Sequence, residues 1–562
     1  MANGFTSSAR PLRLILSVFL IVLSAGCVFA QTATYYVQLS DKKNSVYSIS
    51  NPEAFLSPKA IERRRLQNIP IQDDDIPVSP IYMQQVAALC QVSYPLKWSN
   101  AVVIKSGDPN ITQKLRALPF VTEVRKISSG GPSTRHKMLD EVTSERSSIV
   151  TMDTGFYGAG TRQATMIRAN ALHQKGYWGD GVIIAMMDAG FLNADSNAYM
   201  KQTFDAGKVL YAWNFVFGNS DVYHSPQADS HGAWTFSCIA ANVPHQMVGT
   251  APNASFLMFQ TEDERSETIV EEYNWAAAAE VADSMGASVF STSLGYTTFD
   301  QSDSADDHTY ADMTGHTTPI AKAVNRAASK GILVINSAGN EGAAAWHYIA
   351  TPGDADSGVT VGAVAPSGQI AGFSSRGPNS SGEVKPEICA EGGPAYIVSI
   401  TGTIQTANGT SFSCPIAAGA FACLREAFPS ASNMVIIDAV HRSSTQYAHP
   451  DGSYGYGIPD FGDAYDRLKV LYPQDTLAYV SSTRVFPNPF LNTLKVVMTD
   501  LLMDSVNTAE LYDYSGQRVW SGSAHSITFV NNIWEIAPPA NLAAGVYVLS
   551  INKTRKYRLV KK

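Results

Sequence analysis

The sequence predicts an α/β protein: a mainly parallel sheet with helices on both faces, preceded by a small α+β unit and followed by a β-sandwich. Three observations lead there. Continuous apolar runs at 182–187 and 332–335 end in polar residues and glycines, the pattern of parallel strands buried on both faces. Between about 155 and 468 such runs alternate with helical patterns at 267–284, 320–329 and 413–427, which is α/β order. From about 480 the period shortens to two, with turn residues between short segments, as in a sandwich.

Length sets the number of units. The 562 residues exceed what one compact core holds, so two or three domains are expected. Charged residues at 16% and hydrophobic residues at 45% describe a globular chain rather than a disordered one. A formal net charge of −8, with basic clusters as short as Glu62-Arg63-Arg64-Arg65, gives no reason to expect nucleic acid as a partner.

Taken from the amino terminus, Arg10 and Arg13 precede the apolar run 14–23, and small residues lead to Val28-Phe29-Ala30. Residues 1–30 therefore read as a secretory signal peptide cut after Ala30, with a lipobox at Ser24-Ala25-Gly26-Cys27 as the alternative. No other stretch is apolar enough to span a bilayer, so the mature chain is expected to have no transmembrane segment and to be secreted or displayed at the cell surface. Residues 31–127 mix short strands and helices, an α+β unit; 128–154 form a polar Ser/Gly-rich connector. The α/β unit spans 155–468, a linker 469–479, and the β-sandwich 480–562. Beyond the signal lie Cys90, Cys238, Cys389, Cys414 and Cys423, an odd set that excludes a complete disulfide framework.

Four segments carry chemistry. In Asn408-Gly409-Thr410-Ser411, a serine opens an apolar helix whose terminal amides stabilise developing negative charge, with Pro415 expected in the first turn. Asp188 ends the strand 182–188, where open α/β sheets place ligands and catalysts. His231 and Gly232 begin a small-residue helix that would hold the imidazole rigidly. Ser337-Ala338-Gly339-Asn340-Glu341-Gly342 is a glycine-bracketed loop after a strand, offering the Asn340 amide as a donor. A hydroxyl becomes a nucleophile when an imidazole takes its proton, and a carboxylate orients the imidazolium that forms.

These segments, in the order Asp188, His231, Ser411, resemble those of the subtilisin-like serine proteases, or subtilases; Ala189, Ala233 and Trp234 depart from the usual pattern. The resemblance implies a secreted serine endopeptidase acting through an acyl-enzyme, with Asp188, His231 and Ser411 as triad and Asn340 as oxyanion donor. It also implies that Ser293, Leu294 and Gly295 pair with extended polypeptide substrates. It requires no cofactor for chemistry. Residues 31–127 resemble a subtilase propeptide, making the enzyme's own propeptide a partner. Val485-Phe486-Pro487-Asn488-Pro489-Phe490 and Gly545-Val546-Tyr547 resemble the sorting domain read by the type IX secretion machinery of Bacteroidetes.

Two other classes compete. One is a catalytically silent binding or adhesion protein on the same fold, whose signature would be loss of a triad residue. The other is a metal-dependent hydrolase using His224, His231 and Cys238, although a fourth zinc ligand is not evident. The acidic run Asp300, Asp303, Asp306 and Asp307 is read as a solvated insertion loop, with structural calcium as the alternative. Cys414 and Cys238 are read as small buried hydrophobes.

Overall fold

In the computed structural model, residues 32–129, 155–225, 228–473 and 475 are described, and from 484 onward the strands with some of the residues joining them. The expected signal peptide and most of the connector lie outside the described residues.

The amino-terminal unit contains β1 (Ala33–Leu39), α1 (Pro58–Leu66), α2 (Pro80–Ala87), β2 (Gln91–Leu96), β3 (Ala101–Ser106), α3 (Ile111–Arg116) and β4 (Val121–Ser128). Its antiparallel sheet has the order β2-β3-β1-β4. Alternation sets its two faces: Val102 and Ile104 pack on Val86, Ile111 and Leu115 of the unit's own helices, whereas Ala101 and Val103 face the next unit. Ser57 starts α1, its hydroxyl accepting from the Ala60 amide at 3.2 Å, with Pro58 preset for the first turn.

The central unit runs α4 (Thr161–Met166), α5 (Ala169–Gln174), β5 (Ile183–Asp188), α6 (Lys201–Asp205), β6 (Val209–Asn214), α7 (His231–Ala240), β7 (Asn242–Val243), β8 (Met247–Val248) and β9 (Ser255–Gln260). It continues through α8 (Val270–Met285), β10 (Val289–Thr292), α9 (Pro319–Ser329), β11 (Leu333–Ser337), β12 (Val359–Val364) and β13 (Ile388–Glu391). A hairpin of β14 (Ala395–Val398) and β15 (Ile404–Ala407) precedes α10 (Thr410–Ala427), α11 (Asn433–Arg442) and α12 (Phe461–Leu471). The last helix extends three residues past the boundary expected at 468.

Seven strands form one parallel sheet in the order β13-β12-β11-β10-β5-β9-β6. In β5, Ile184 and Met186 join the core under α7 and α10, while Ile183, Ala185 and Met187 join the core under α8 and α9. That parity continues one residue further and turns Asp188 toward α7. On the opposite face, α8 is held close by its run Ala276–Ala279 and by Trp275, whose indole N–H donates to Thr292 Oγ1 at 3.2 Å. The amino-terminal unit covers this same face: Tyr94, Leu96 and Ile127 share a core with Ile269, Tyr273 and Ala276.

Beyond 480, β16 (Arg484–Phe486), β17 (Leu494–Val497), β18 (Thr508–Asp513), β19 (Arg518–Ser523), β20 (Ile527–Val530), β21 (Ile533–Ile536), β22 (Gly545–Ile551) and β23 (Arg555–Lys561) form two antiparallel sheets, β16-β17-β21-β20 and β19-β18-β22-β23. Ala509, Leu511, Tyr547, Leu549 and Leu559 are buried there, so this segment has apolar packing of its own. Deleting residues 480–562 is therefore expected to leave turnover by the purified protein within about twofold of the full chain. Steady-state hydrolysis by the truncated protein checks this, and a large loss would mean that the segment supports the central fold.

Candidate active site

Adjacent strands β5, β10 and β11 all end at one edge of the sheet. Met187 lies opposite Thr292, and Thr292 opposite Asn336. The chain leaving each carboxyl end carries a predicted site residue: Asp188 ends β5, Ser293–Gly295 follow β10, and Asn340 follows β11 by three residues. Helices α7 and α10 start at this edge and lie on the same sheet face. His231 is the first residue of α7 and Ser411 the second of α10.

Asp188 and His231 meet directly, Nδ1 to Oδ1 at 2.6 Å. The carboxylate is fixed from two more sides, since Oδ1 accepts from the Ala189 amide at 2.8 Å and Oδ2 from the Thr235 hydroxyl at 3.0 Å. Thr235 follows His231 by one helical turn, so both project toward the same carboxylate. Sequence reading missed it; a threonine at i+4 from the histidine is its only signal. Gly232 lets α7 approach this closely, because a Cβ there would strike the Gly190 carbonyl and the Asp188 side chain. The exposure is 1% for Asp188, 9% for His231 and 6% for Ser411, so little of the three reaches solvent. Phe412, next to Ser411, lies 6.1 Å from the imidazole between ring centroids. The unusual Ala233 and Trp234 are absorbed into packing, the first buried and the second lying against the core.

The start of α10 differs from expectation in an informative way. The helix begins at Thr410, so Pro415 is its sixth residue and not part of the first turn. Proline has no N–H to donate to the carbonyl four residues back, which belongs to Ser411. That carbonyl accepts from the Ser293 hydroxyl at 2.9 Å instead. The interrupted helix thereby ties the serine backbone to the segment after β10. Gly409, at the cap position, has no side chain, and the capping oxygen comes from another loop: Asn340 Oδ1 accepts from the Thr410 amide at 2.9 Å and from its hydroxyl at 3.0 Å. Thr410 Oγ1 in turn accepts from the Gly339 amide at 3.1 Å. With its oxygen engaged, the Asn340 side-chain amide can donate only through its NH₂. Ser293 and Leu294 are buried and Gly295 is exposed, leaving backbone accessible at the end of this segment.

Other candidates are separated. His224 is exposed and pairs with Asp195 at 2.9 Å, while Cys238 lies inside α7 with its thiol toward the Trp234 carbonyl at 3.7 Å. Among the described residues no group of three or more His, Cys, Asp or Glu side chains could hold a metal, which removes the support for a zinc hydrolase at His224, His231 and Cys238. The acidic run caps backbone: Asp300 accepts from the Glu267 amide at 3.2 Å, Asp303 from the Ser129 amide at 2.9 Å and Asp307 from the Phe299 amide at 2.6 Å. Asp300 and Asp303 are buried rather than solvated, a correction to the loop reading. Among the described residues the cysteines carry free thiols, and burial pushes that of Cys414 up to about 12, out of nucleophilic range at neutral pH.

Comparison with known proteins covers three segments of the chain. Residues 179–457 match the subtilase family, 34–140 the peptidase S8 propeptide domain of Bacteroidota, and 484–562 the secretion system C-terminal sorting domain. The central unit is a subtilase domain. It is 29% identical over 297 residues to subtilisin E of Bacillus subtilis (strain 168), covering 52% of this chain and 68% of that one. Over the same length it is 28% identical to subtilisin of Bacillus pumilus, covering 52% and 94% of the two chains. It is 26% identical over 305 residues to the thermostable alkaline protease of Halalkalibacterium halodurans (strain ATCC BAA-125 / DSM 18197 / FERM 7344 / JCM 9153 / C-125), covering 53% and 72%. This subtilase is thus a serine-type endopeptidase with a propeptide domain and a sorting tail, exported to the surface or the medium.

The hydroxyl of Thr235 donates to a charged acceptor, an interaction of about 1.5–3 kcal/mol. Thr235→Val in this subtilase is expected to lower kcat by about tenfold or more while leaving KM nearly unchanged. Steady-state kinetics on a short peptide check this, and an unchanged kcat would mean that Thr235 only packs.

Proposed function

We propose that this subtilase cleaves polypeptides through a triad of Ser411, His231 and Asp188. Ser411 Oγ attacks the scissile carbonyl carbon while His231 takes its proton, and Asp188 holds the imidazole and balances the charge it acquires. The same proton goes to the leaving amine, and water then hydrolyses the acyl-enzyme with His231 again as base. Negative charge on the carbonyl oxygen is met by the Asn340 NH₂ and by the Ser411 amide, whose place in the first turn of α10 leaves it without an intrahelical acceptor. The backbone of Ser293–Gly295 pairs with extended substrate, so affinity comes from main-chain hydrogen bonds and suits polypeptides rather than small esters.

The observation that carries this reading is the 2.6 Å Asp188–His231 contact at the sheet edge where the helix bearing Ser411 begins. Residues 31–127 act as a folding propeptide that covers the α8–α9 face of the enzyme, the connector 128–154 is cut during maturation, and 480–562 are handed to the type IX machinery for export. No step of the hydrolysis requires a metal or organic cofactor.

Treating the purified mature enzyme with a fluorophosphonate should place the label on Ser411, and Ser411→Ala should abolish both labelling and peptide hydrolysis with an unchanged thermal transition. Wild-type turnover by that variant would sink the mechanism, and absence of labelling in the wild type would favour the silent binding protein. Asn340 allows a finer separation, because it both caps α10 and donates to the oxyanion. Asn340→Asp keeps an acceptor for Thr410 but loses the NH₂, so kcat should fall by about 10²–10³ with little loss of stability. Asn340→Ala should lose the same activity and also about 1 kcal/mol of stability. Equal thermal transitions for the two variants would remove the capping role.

A further inference from the structure

The amino-terminal unit grips the central unit through a second contact, distinct from the sheet-on-helix packing and remote from the cleft. It involves α1 and the 3₁₀ turn Asp73–Asp75 on one side and the carboxyl ends of α8 and α9 on the other. Arg63 lies across both helix ends: Nε donates to the Lys330 carbonyl at 3.0 Å, one terminal nitrogen to the Ala287 carbonyl, and the other to Asp283 Oδ1 at 2.5 Å. Arg64 bridges Asp283 at 2.9 Å and Asp75 at 2.7 Å, and Lys97 reaches Asp283 at 3.1 Å. Charge also runs the other way, from Lys330 to Asp74 at 2.7 Å and to Asp75 at 3.2 Å, and from Arg326 to Asp74 at 2.9 Å. Gln67 closes the contact, donating to the Gly331 carbonyl at 2.9 Å and accepting from the Asn433 amide at 3.1 Å.

Arg63, Arg64, Asp75, Asp283 and Lys330 are all buried. The three surrounding cations hold the Asp283 carboxyl far below its ordinary range against the cost of burial. Removing one member of such a set strands the others without water, which is far more costly than the intact set is favourable. The contact therefore discriminates. A partner lacking Arg63 and Arg64 would leave Asp283 buried and unpaired, a penalty that rejects it. Once the units separate, the same side chains become solvated polar groups, so neither surface is an apolar liability.

We propose that the carboxyl ends of α8 and α9, with the start of α11, form a recognition surface for the α1–Asp75 segment of the chain's own propeptide, and that this surface retains the propeptide on the enzyme after the connector is severed. It selects the cognate propeptide by buried charge exchange, independently of the cleft. The proposal rests on reading residues 31–127 as a propeptide, yet its test needs no catalysis. Full-length Ser411→Ala protein is nicked in the connector with an added endoprotease and run on gel filtration over a dilution series. The two pieces are expected to co-elute, and Asp283→Asn should weaken their association by about 100-fold or more. Gln67→Ala, which alters only this contact and leaves the ion set intact, should weaken it by about tenfold. Association within threefold of the parent in either variant would overturn the proposal, and Gln67→Ala decides it if Asp283→Asn does not fold. Failure of the catalytic reading looks different: an inactive, unlabelled wild type whose pieces still co-elute.

Discussion

A parallel sheet puts all its strand carboxyl ends on one edge, and everything at the candidate site depends on that constraint. Strands β5, β10 and β11 are neighbours, so the residues that leave them are neighbours as well, although they are far apart in the chain. Side-chain alternation does the rest. The odd residues Ile183, Ala185 and Met187 belong to the face of α8, and the even residues Ile184 and Met186 to the face of α7 and α10, which leaves Asp188 facing the helix that begins with His231. A slip of one residue would turn the carboxylate to the wrong side of the sheet.

Rigidity at the site comes from hydrogen bonds that ordinary helix geometry leaves open. Pro415 deprives the Ser411 carbonyl of its helical donor, and Ser293 supplies another from the segment after β10. Gly409 cannot cap α10, and Asn340 does so from the loop after β11. Each local defect is thus converted into a tertiary tie between α10 and one of the strands beside it. The two ties coincide with the segments proposed for substrate and oxyanion.

The two faces of the sheet divide the labour. Helices α7 and α10 carry the candidate residues His231 and Ser411 on one side, while α8 and α9 meet the propeptide domain on the other. The propeptide contact combines an apolar patch around Tyr94, Leu96 and Tyr273 with the buried charges around Asp283. Apolar area gives adhesion to any matching surface, whereas buried charge tolerates few partners, so the combination suits a domain that must bind its own enzyme and later leave it.

Much was legible in the chain itself. The apolar run into Asp188, the small-residue helices after His231 and Ser411, and the glycine-bracketed Asn340 loop each have a local physical reason, and so does the period-two tail. The start of α10 was not legible, because proline is a poor predictor of a helix position when a distant serine replaces the hydrogen bond it removes. The acidic run at 300–307 looked solvated, since sequence does not reveal that the backbone amides of Ser129, Glu267 and Phe299 come to it. Thr235 escaped notice because its meaning depends on a carboxylate from another strand. By itself the sequence determined which residues are candidates for chemistry and which segments are strand or helix, as these follow from side-chain type and period. Only the tertiary structure decided which groups meet, Thr235 with Asp188, Asn340 with Thr410 and Arg63 with Asp283, because those contacts join positions whose separation along the chain carries no record of their distance in space.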